Sequence, residues 1–199
     1  MALYKGEDKI KDIYLGEVPI FKVYAGEEFC GFFTFSHENL ISNSDLLIDS
    51  NSDGVPDGFT CYKATANSLV NGIVNFTATA QYGRLDYYNA TLFNDTNTYY
   101  CYARVKSDKN TTGLLGANDS GGYAYHSGSG EYEIISKVYV ASSTAHYIRV
   151  ISIASSNWTP IEVDYIGAIN ITDLVSRGIL PSGLTNAQYK EILDNYFNS

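Results

Sequence analysis

The stretch YYCYARVK, residues 99–106, decides the fold class of this chain. From Tyr99 on, every second side chain is apolar or aromatic, whereas the positions between them end in Arg104 and Lys106. A β-strand with one face on a hydrophobic core and the other toward solvent shows this period of two. The stretch therefore predicts a strand that is buried on its odd-numbered side.

Segments of the same kind recur along the chain, separated by polar turns. The predicted strands cover residues 32–36, 59–62, 73–80, 84–88, 99–106, 132–140, 146–154 and 161–169. Turn-rich stretches lie at 107–113 and 117–130. Strands at this spacing are typical of an antiparallel β-sandwich or jelly roll, so we predict an all-β fold.

The last segment of the chain has helical periodicity instead. In LTNAQYKEILDNYF, residues 184–197, the apolar side chains recur at helical spacing. Thr185 can cap the start of a helix together with Gln188, three residues further on. A short C-terminal helix is therefore predicted.

The first 30 residues carry a ten-residue repeat, Tyr-x-Gly-Glu, beginning at Tyr4, Tyr14 and Tyr24. Two β-prone segments are separated by a Gly-Glu-Val-Pro turn, which predicts a β-hairpin or small ribbon. Such a ribbon buries too little to be stable alone. We expect it to attach to another protein through Tyr4, Tyr14, Ile20 and Tyr24.

These patterns divide the 199 residues into three predicted parts. Residues 1–30 form the attachment ribbon, 31–170 the sandwich, and 171–199 a helical tail packed on the sandwich. A chain of this length accommodates one domain with a full core and a small appendage.

Composition limits the possible partners. The 13 Lys and Arg against 22 Asp and Glu give a net charge of −9. A negative chain is repelled by the phosphate backbone, so no nucleic-acid partner is expected. No apolar run approaches the roughly 18 residues of a membrane span, so no membrane insertion is expected. No apolar segment follows the basic start, which predicts no secretory signal. Cys30, Cys61 and Cys101 form no CxxC pair and are interpreted as buried apolar residues.

The stretch DSNSDGVPDGF, residues 49–59, is the sharpest local signal. It offers oxygen ligands from Asp49, Asn51, Asp53, Asp57 and the Val55 carbonyl around a glycine turn, which suits a calcium ion. Position 60 lacks the bidentate Glu of an EF-hand, so a further ligand has to come from elsewhere. The alternative is a loop of Asx-turns, in which the acidic side chains accept hydrogen bonds from their own backbone.

Aromatic side chains in two predicted loops form a second candidate site. Tyr123, Tyr125 and His126 lie in GGYAYHSGSGEY, and Trp158 lies in SSNWTP. Flat rings backed by polar side chains stack on the C–H faces of sugars, so we take these residues as candidate glycan ligands. The alternative is that they close the ends of the sandwich.

Catalytic signatures are not found. The three histidines are scattered, and HExxH, GxSxG and phosphate-loop motifs are missing from the sequence. We therefore expect no enzymatic activity, with a two-carboxylate polysaccharide depolymerase as the least favoured alternative.

Four segments together resemble one class of proteins. The Tyr-x-Gly-Glu repeat resembles N-terminal ribbons of bacteriophage and prophage tail proteins. ENLISNSDLLIDSNSDGVPDGFTCY (38–62) and NTYYCYARVKS (97–107) are similar to strands of carbohydrate-binding-module-like jelly rolls. The segment 161–197 resembles the closing strand and helical tail of phage-encoded versions, with Asp164 in the acidic position of that closing strand.

The resemblance implies a phage virion protein, assembled in the bacterial host cytoplasm. Its ribbon would bind other virion proteins, and its jelly roll would bind a host-surface glycan. A structural calcium ion is consistent with this class. Repetition of the subunit as a homo-oligomer on the particle would strengthen weak sugar binding through avidity. The alternative is a decoration or fibre-anchoring subunit without a ligand of its own.

Overall fold

The computed structural model describes residues 13–15, 18–25, 28–34, 39–117, 122–142 and 146–197. In these residues the chain forms thirteen strands and two helices. They belong to two compact units, one made of residues 39–172 and the other of residues 1–38 with 173–199. The domain boundaries that we inferred from the sequence stay a prediction.

The unit of residues 39–172 contains two five-stranded antiparallel sheets. The first sheet has the order β10-β9-β12-β7-β4, and the second has the order β11-β8-β13-β6-β5. Strands of the first sheet are β4 (Phe59–Tyr62), β7 (Gly83–Tyr88), β9 (Thr112–Gly116), β10 (Ala124–Tyr125) and β12 (Tyr147–Ser152). Strands of the second sheet are β5 (Ala64–Val70), β6 (Ile73–Ala78), β8 (Thr98–Lys106), β11 (Tyr132–Val140) and β13 (Pro160–Asn170). The predicted antiparallel β-sandwich is confirmed.

The core between the sheets follows the predicted alternation. On β8, Tyr99, Cys101, Ala103 and Val105 are buried in one apolar cluster. The register neighbours of Cys101, Ala103 and Val105 on β13 are also apolar, as in the pair of Val163 with Val105, whereas Tyr99 lies opposite Asn170. Alternate burial on the inner faces of both sheets is the expected source of stability for a sandwich.

The even-numbered face of β8 is more buried than the sequence predicts. Tyr100 and Tyr102 are only 0% and 3% exposed, although their positions predict a solvent-facing side. The two rings stack at 5.4 Å, and Tyr165 meets Tyr102 edge to face at 5.8 Å. Gly167 makes room for the Tyr102 ring, because a Cβ atom at position 167 would lie 2.3 Å from that ring. Aromatic packing therefore also buries the Tyr100–Tyr102 part of this face, whereas the side chains of Arg104 and Lys106 further along it are 43% and 42% exposed.

Three further strands were not predicted. β5, β9 and β10 lie in stretches where apolar and polar residues do not alternate clearly, or where the composition is typical of turns. β9 is buried at all five positions and has a glycine at two of them, so its sequence shows no period of two.

The smaller unit contains the predicted helix, α2 (Asn186–Phe197). The Gln188 N–H donates to Thr185 Oγ1 at 3.3 Å, and the Thr185 N–H donates to Gln188 Oε1 at 2.9 Å. This is the predicted capping box. A second short helix, α1 (Ile171–Ser176), continues directly from β13 and was not predicted. No helix in the described ranges is both long and apolar enough to span a membrane.

The N-terminal strands pair as a three-stranded antiparallel sheet. These are β1 (Ile13–Leu15), β2 (Val18–Ala25) and β3 (Glu28–Thr34), with Tyr14 opposite Pro19 in the register. Of the predicted attachment residues, Tyr14 lies in β1, Ile20 and Tyr24 lie in β2, and Tyr4 lies outside the described residues. The ribbon is thus present as a sheet, and its attachment role stays a prediction.

Candidate functional site

Two of the predicted sugar ligands lie together at the edge of the first sheet. The rings of Tyr123 and Tyr125 are 5.7 Å apart, and Tyr125 is 50% exposed. Both border Gly113 on the neighbouring strand β9, whose missing side chain leaves room for them. A Cβ atom at Gly113 would lie 3.2 Å from Tyr123 and 3.4 Å from Tyr125.

His126 has a different environment. Its ring is fully buried, with Nε2 at 3.1 Å from the Val105 carbonyl oxygen and 3.0 Å from that of Glu131. Nδ1 accepts the Gly128 N–H at 2.9 Å, so the proton of the neutral ring resides on Nε2. These bonds hold the loop that follows β10.

Trp158 lies in the loop between β12 and β13. It is partly exposed, and its indole N–H donates to the Ala154 carbonyl at 2.9 Å. This bond closes its own loop. Of the four predicted residues, the structure therefore brings Tyr123 and Tyr125 together and gives His126 and Trp158 local hydrogen bonds.

A larger set of side chains lies on the face of the first sheet that points away from the core, here called the first-sheet outer face. One register row crosses all five strands of this face. From β4 to β10 the row runs through Tyr62, Arg84, Ile151, Gly113 and Tyr125. Four interstrand steps of about 4.8 Å place the two tyrosines roughly 19 Å apart along the sheet.

An ionic cluster lies beside this row. Arg84 Nε is 2.7 Å from one oxygen of Asp86, and Arg149 Nε is 3.0 Å from the other oxygen. The side chains of Arg84, Asp86 and Arg149 are only 18%, 13% and 15% exposed. Because water reaches them poorly, these contacts are screened less than surface ion pairs. Asp86 thereby fixes the orientation of both guanidinium groups.

Each of the two guanidinium groups also makes a cation–π contact with a tyrosine ring. The Arg84 guanidinium lies 4.2 Å from the centre of the Tyr62 ring, and that of Arg149 lies 3.3 Å from the centre of the Tyr147 ring. Cation–π contacts of this kind contribute about 0.5 to 2 kcal/mol, more where water is excluded. Lys63 Nζ also lies 5.4 Å from the centre of the Tyr62 ring, and Tyr62 is still 47% exposed.

Tyr88 adds a further ring to the first-sheet outer face. It follows Arg84 and Asp86 at every second position of β7 and is 64% exposed. The sequence predicts a strand at residues 84–88 but indicates no function for these side chains. The signal was the alternation in GRLDYY, residues 83–88, where charged and aromatic side chains share one side of the strand.

The acidic loop of residues 49–57 forms a hydrogen-bonded network of its own. Asp57 accepts the Ser50 N–H at 3.0 Å, and Asp49 accepts the Gly54 N–H at 3.0 Å. Asp53 accepts the Val55 N–H at 2.8 Å. These are the bonds that the Asx-turn alternative predicts.

The same loop does not present a formed metal centre. No group of three or more His, Cys, Asp and Glu side chains converges on a common point anywhere in the described part of the chain. Asn51 donates its amide to Asp53 at 3.0 Å and accepts the Asp53 N–H at 3.1 Å, so it is directed at its neighbour. Asp49 Oδ1 is buried without a hydrogen-bond partner, and calcium binding by this loop stays a prediction.

Comparisons with known proteins concern architecture. No protein-family model and no curated protein matches this chain. A family 29 carbohydrate-binding module is 14% identical, covering 61% of this chain and 84% of that one with a TM-score of 0.44. A CBM4 module is 12% identical over 65% of this chain and 99% of that one, with a TM-score of 0.41.

The CBM35 from Paenibacillus barcinonensis is also similar. It is 14% identical over 56% of this chain and 92% of that one, with a TM-score of 0.38. Similarities at this level do not transfer a ligand or a binding residue. What the first-sheet outer face binds has to follow from its own side chains.

Proposed function

We propose that this protein binds a glycan chain on the first-sheet outer face. The observation that carries the proposal is the register row with an exposed tyrosine at each end and the Arg84–Asp86–Arg149 cluster beside it. A ligand that contacts both Tyr62 and Tyr125 has to extend about 19 Å across the strands. An oligosaccharide or polysaccharide chain meets that requirement, and a single sugar does not.

The chemistry of the row suits such a chain. Exposed tyrosine rings present flat apolar faces for sugar C–H groups and a hydroxyl for hydrogen bonding. Guanidinium groups donate in a fixed planar fork, and Asp86 accepts hydrogen bonds from hydroxyls. Because Asp86 and the two arginines already hold one another, little side-chain entropy is lost when a ligand binds.

The test is a binding titration against bacterial envelope polysaccharides and their oligosaccharides. We expect Tyr62→Ala and Tyr125→Ala each to weaken binding by about 1 to 2 kcal/mol, roughly 5- to 30-fold in Kd. The matched control is Leu47→Ala, because Leu47 is 61% exposed and lies outside the first sheet. Equal affinities for all three variants would reject the proposed face.

Location on a phage particle is a further part of the proposal. It is supported by the Tyr-x-Gly-Glu repeat and by the small antiparallel sheet of residues 13–34. In this proposal the sheet attaches the protein to a virion, and the sandwich contacts the glycan. Deleting residues 1–28 should leave glycan binding intact and abolish incorporation into particles.

The alternative is a structural subunit without a ligand. Absence of binding by the full chain, even when it is multimerised on a bead, would favour this alternative.

A further inference from the structure

A second group of polar side chains lies on the opposite side of the sandwich, on the face of the second sheet that points away from the core. One register row there places Tyr132 of β11 beside Lys106 of β8, and Lys106 beside Glu162 of β13. The Tyr132 hydroxyl donates to Glu162 at 2.8 Å, and Lys106 Nζ is 3.5 Å from the same carboxylate oxygen. The three side chains form one connected cluster.

The ring of Tyr132 also makes cation–π contacts. The Arg104 guanidinium lies 4.6 Å from the centre of the Tyr132 ring, and Lys106 Nζ lies 5.7 Å from it. Burial, together with the hydrogen bond to Glu162, raises the pKa of Tyr132 to about 12. The hydroxyl therefore remains a donor to Glu162 throughout the neutral pH range.

A cavity adjoins the cluster at the end of β8. Its volume is about 200 Å³, and Lys106 and Glu162 form one side of it. Asp108, Thr159, Pro160 and Gly130 contribute to the remaining wall. The Thr159 hydroxyl bonds to the Asp108 carboxylate, so this wall also presents ordered polar atoms. We call this cavity, with the Lys106–Glu162 pair, the second-sheet pocket.

The charges of the second-sheet pocket argue against an ionic ligand. An anion would approach Glu162 and Asp108, and a cation would approach Lys106. A neutral hydroxyl-bearing group meets no such repulsion. Carboxylates accept more than one hydrogen bond per oxygen, and an ammonium group has three donors, so both can bind hydroxyls in addition to their present partners.

The size of the pocket limits the ligand as well. Pockets for drug-sized molecules run from about 300 to 1,000 Å³. At about 200 Å³, the second-sheet pocket lies below that range. It therefore suits one small polyol or a single sugar ring, in contrast to the long row on the first-sheet outer face.

We propose that the second-sheet pocket is a separate binding site for a single neutral sugar unit, with Lys106, Glu162 and Thr159 as its polar ligands. Since the two sites lie on opposite outer faces of the sandwich, one molecule can engage two glycan chains or two parts of one chain. Two weak sites on one module increase the effective affinity for a repetitive surface. This site does not require that the first-sheet outer face binds a glycan.

The experiment is an amide NMR titration of the full chain with the methyl glycosides of glucose, mannose, galactose and N-acetylglucosamine. We expect the amides of Ser107, Gly130 and Thr159 to shift in a saturable way with at least one of them. Thr159→Val keeps the shape of the side chain and removes the hydroxyl, so it should weaken this binding about 2- to 10-fold. Lys106→Met should weaken it further, because it also removes a charged donor.

The controls separate the two proposals. Tyr62→Ala, on the other sheet, should leave the shifts of Ser107 and Gly130 unchanged. Absence of saturable shifts at the pocket amides with all four glycosides would overturn the second site, even if amides near Tyr62 and Tyr125 respond. Shifts at the pocket without any response of the first-sheet outer face to long oligosaccharides would support this site and overturn the proposed function.

Discussion

Replacing Asp86 by Asn tests how much the central cluster of the first-sheet outer face contributes to stability. One oxygen of the Asp86 carboxylate accepts a hydrogen bond from Arg84 Nε, and the other forms an ion pair with Arg149 Nε at 3.0 Å. Asn keeps the size and one acceptor but turns an N–H donor toward the second guanidinium. The substitution therefore removes the negative charge that pairs with both guanidinium groups and leaves two positive charges close together.

The size of the effect follows from the burial of the cluster. A hydrogen bond to a charged group contributes about 1.5 to 3 kcal/mol, and breaking a fully buried ion pair costs about 3 to 5 kcal/mol. Because the three side chains are 13% to 18% exposed, we expect a loss of about 2 to 3 kcal/mol in the free energy of unfolding. For a chain of this length, that loss lowers Tm by roughly 4 to 12 °C.

Urea unfolding of the wild-type protein and the variant provides the measurement. The control is Asp45→Asn, which changes an exposed carboxylate and should alter stability by less than about 0.5 kcal/mol. Repeating both in about 1 M salt, where the Debye length is only about 3 Å, shows whether solvent screens the pair. A loss below about 0.5 kcal/mol, or one that disappears in salt, would refute the idea of a shielded cluster.

Three other predictions follow from single features. Gly167→Ala places a Cβ atom 2.3 Å from the Tyr102 ring and should cost about 1 to 3 kcal/mol in thermal unfolding, whereas wild-type stability would show that the ring moves freely. Desolvation by burial acts to raise the pKa of Glu133, but hydrogen bonds, chiefly from Ser127 and Ser129, lower it to about 2, below the ordinary 4.5. The stabilisation is therefore present above pH 4.5 and lost as the pH falls toward 2, so Glu133→Gln should be less stable than wild type at pH 7, and the difference should vanish near pH 2. Because the acidic side chains of residues 49–57 bond to their own loop, a chelator should leave Tm unchanged, and a rise of several degrees with calcium would show that the loop binds the ion.

Local features of the sequence predicted the local elements well. Alternation in residues 99–106 identified β8, and helical spacing with Thr185 and Gln188 identified α2 and its cap. These signals work because they depend on residues within one strand or one helical turn. The all-β antiparallel class followed from them. β9 escaped detection because a strand buried on both faces has no alternation.

The candidate site depends on contacts that no local pattern contains. Tyr62 and Tyr125 are far apart in sequence and share a row only through the register of three intervening strands. His126 looked like a ligand in its loop, yet the fold directs its ring inward. The sequence by itself therefore determined which segments are strands and which is a helix. Only the tertiary structure decided which polar and aromatic side chains face solvent together, because interstrand register and burial result from packing of the whole sandwich.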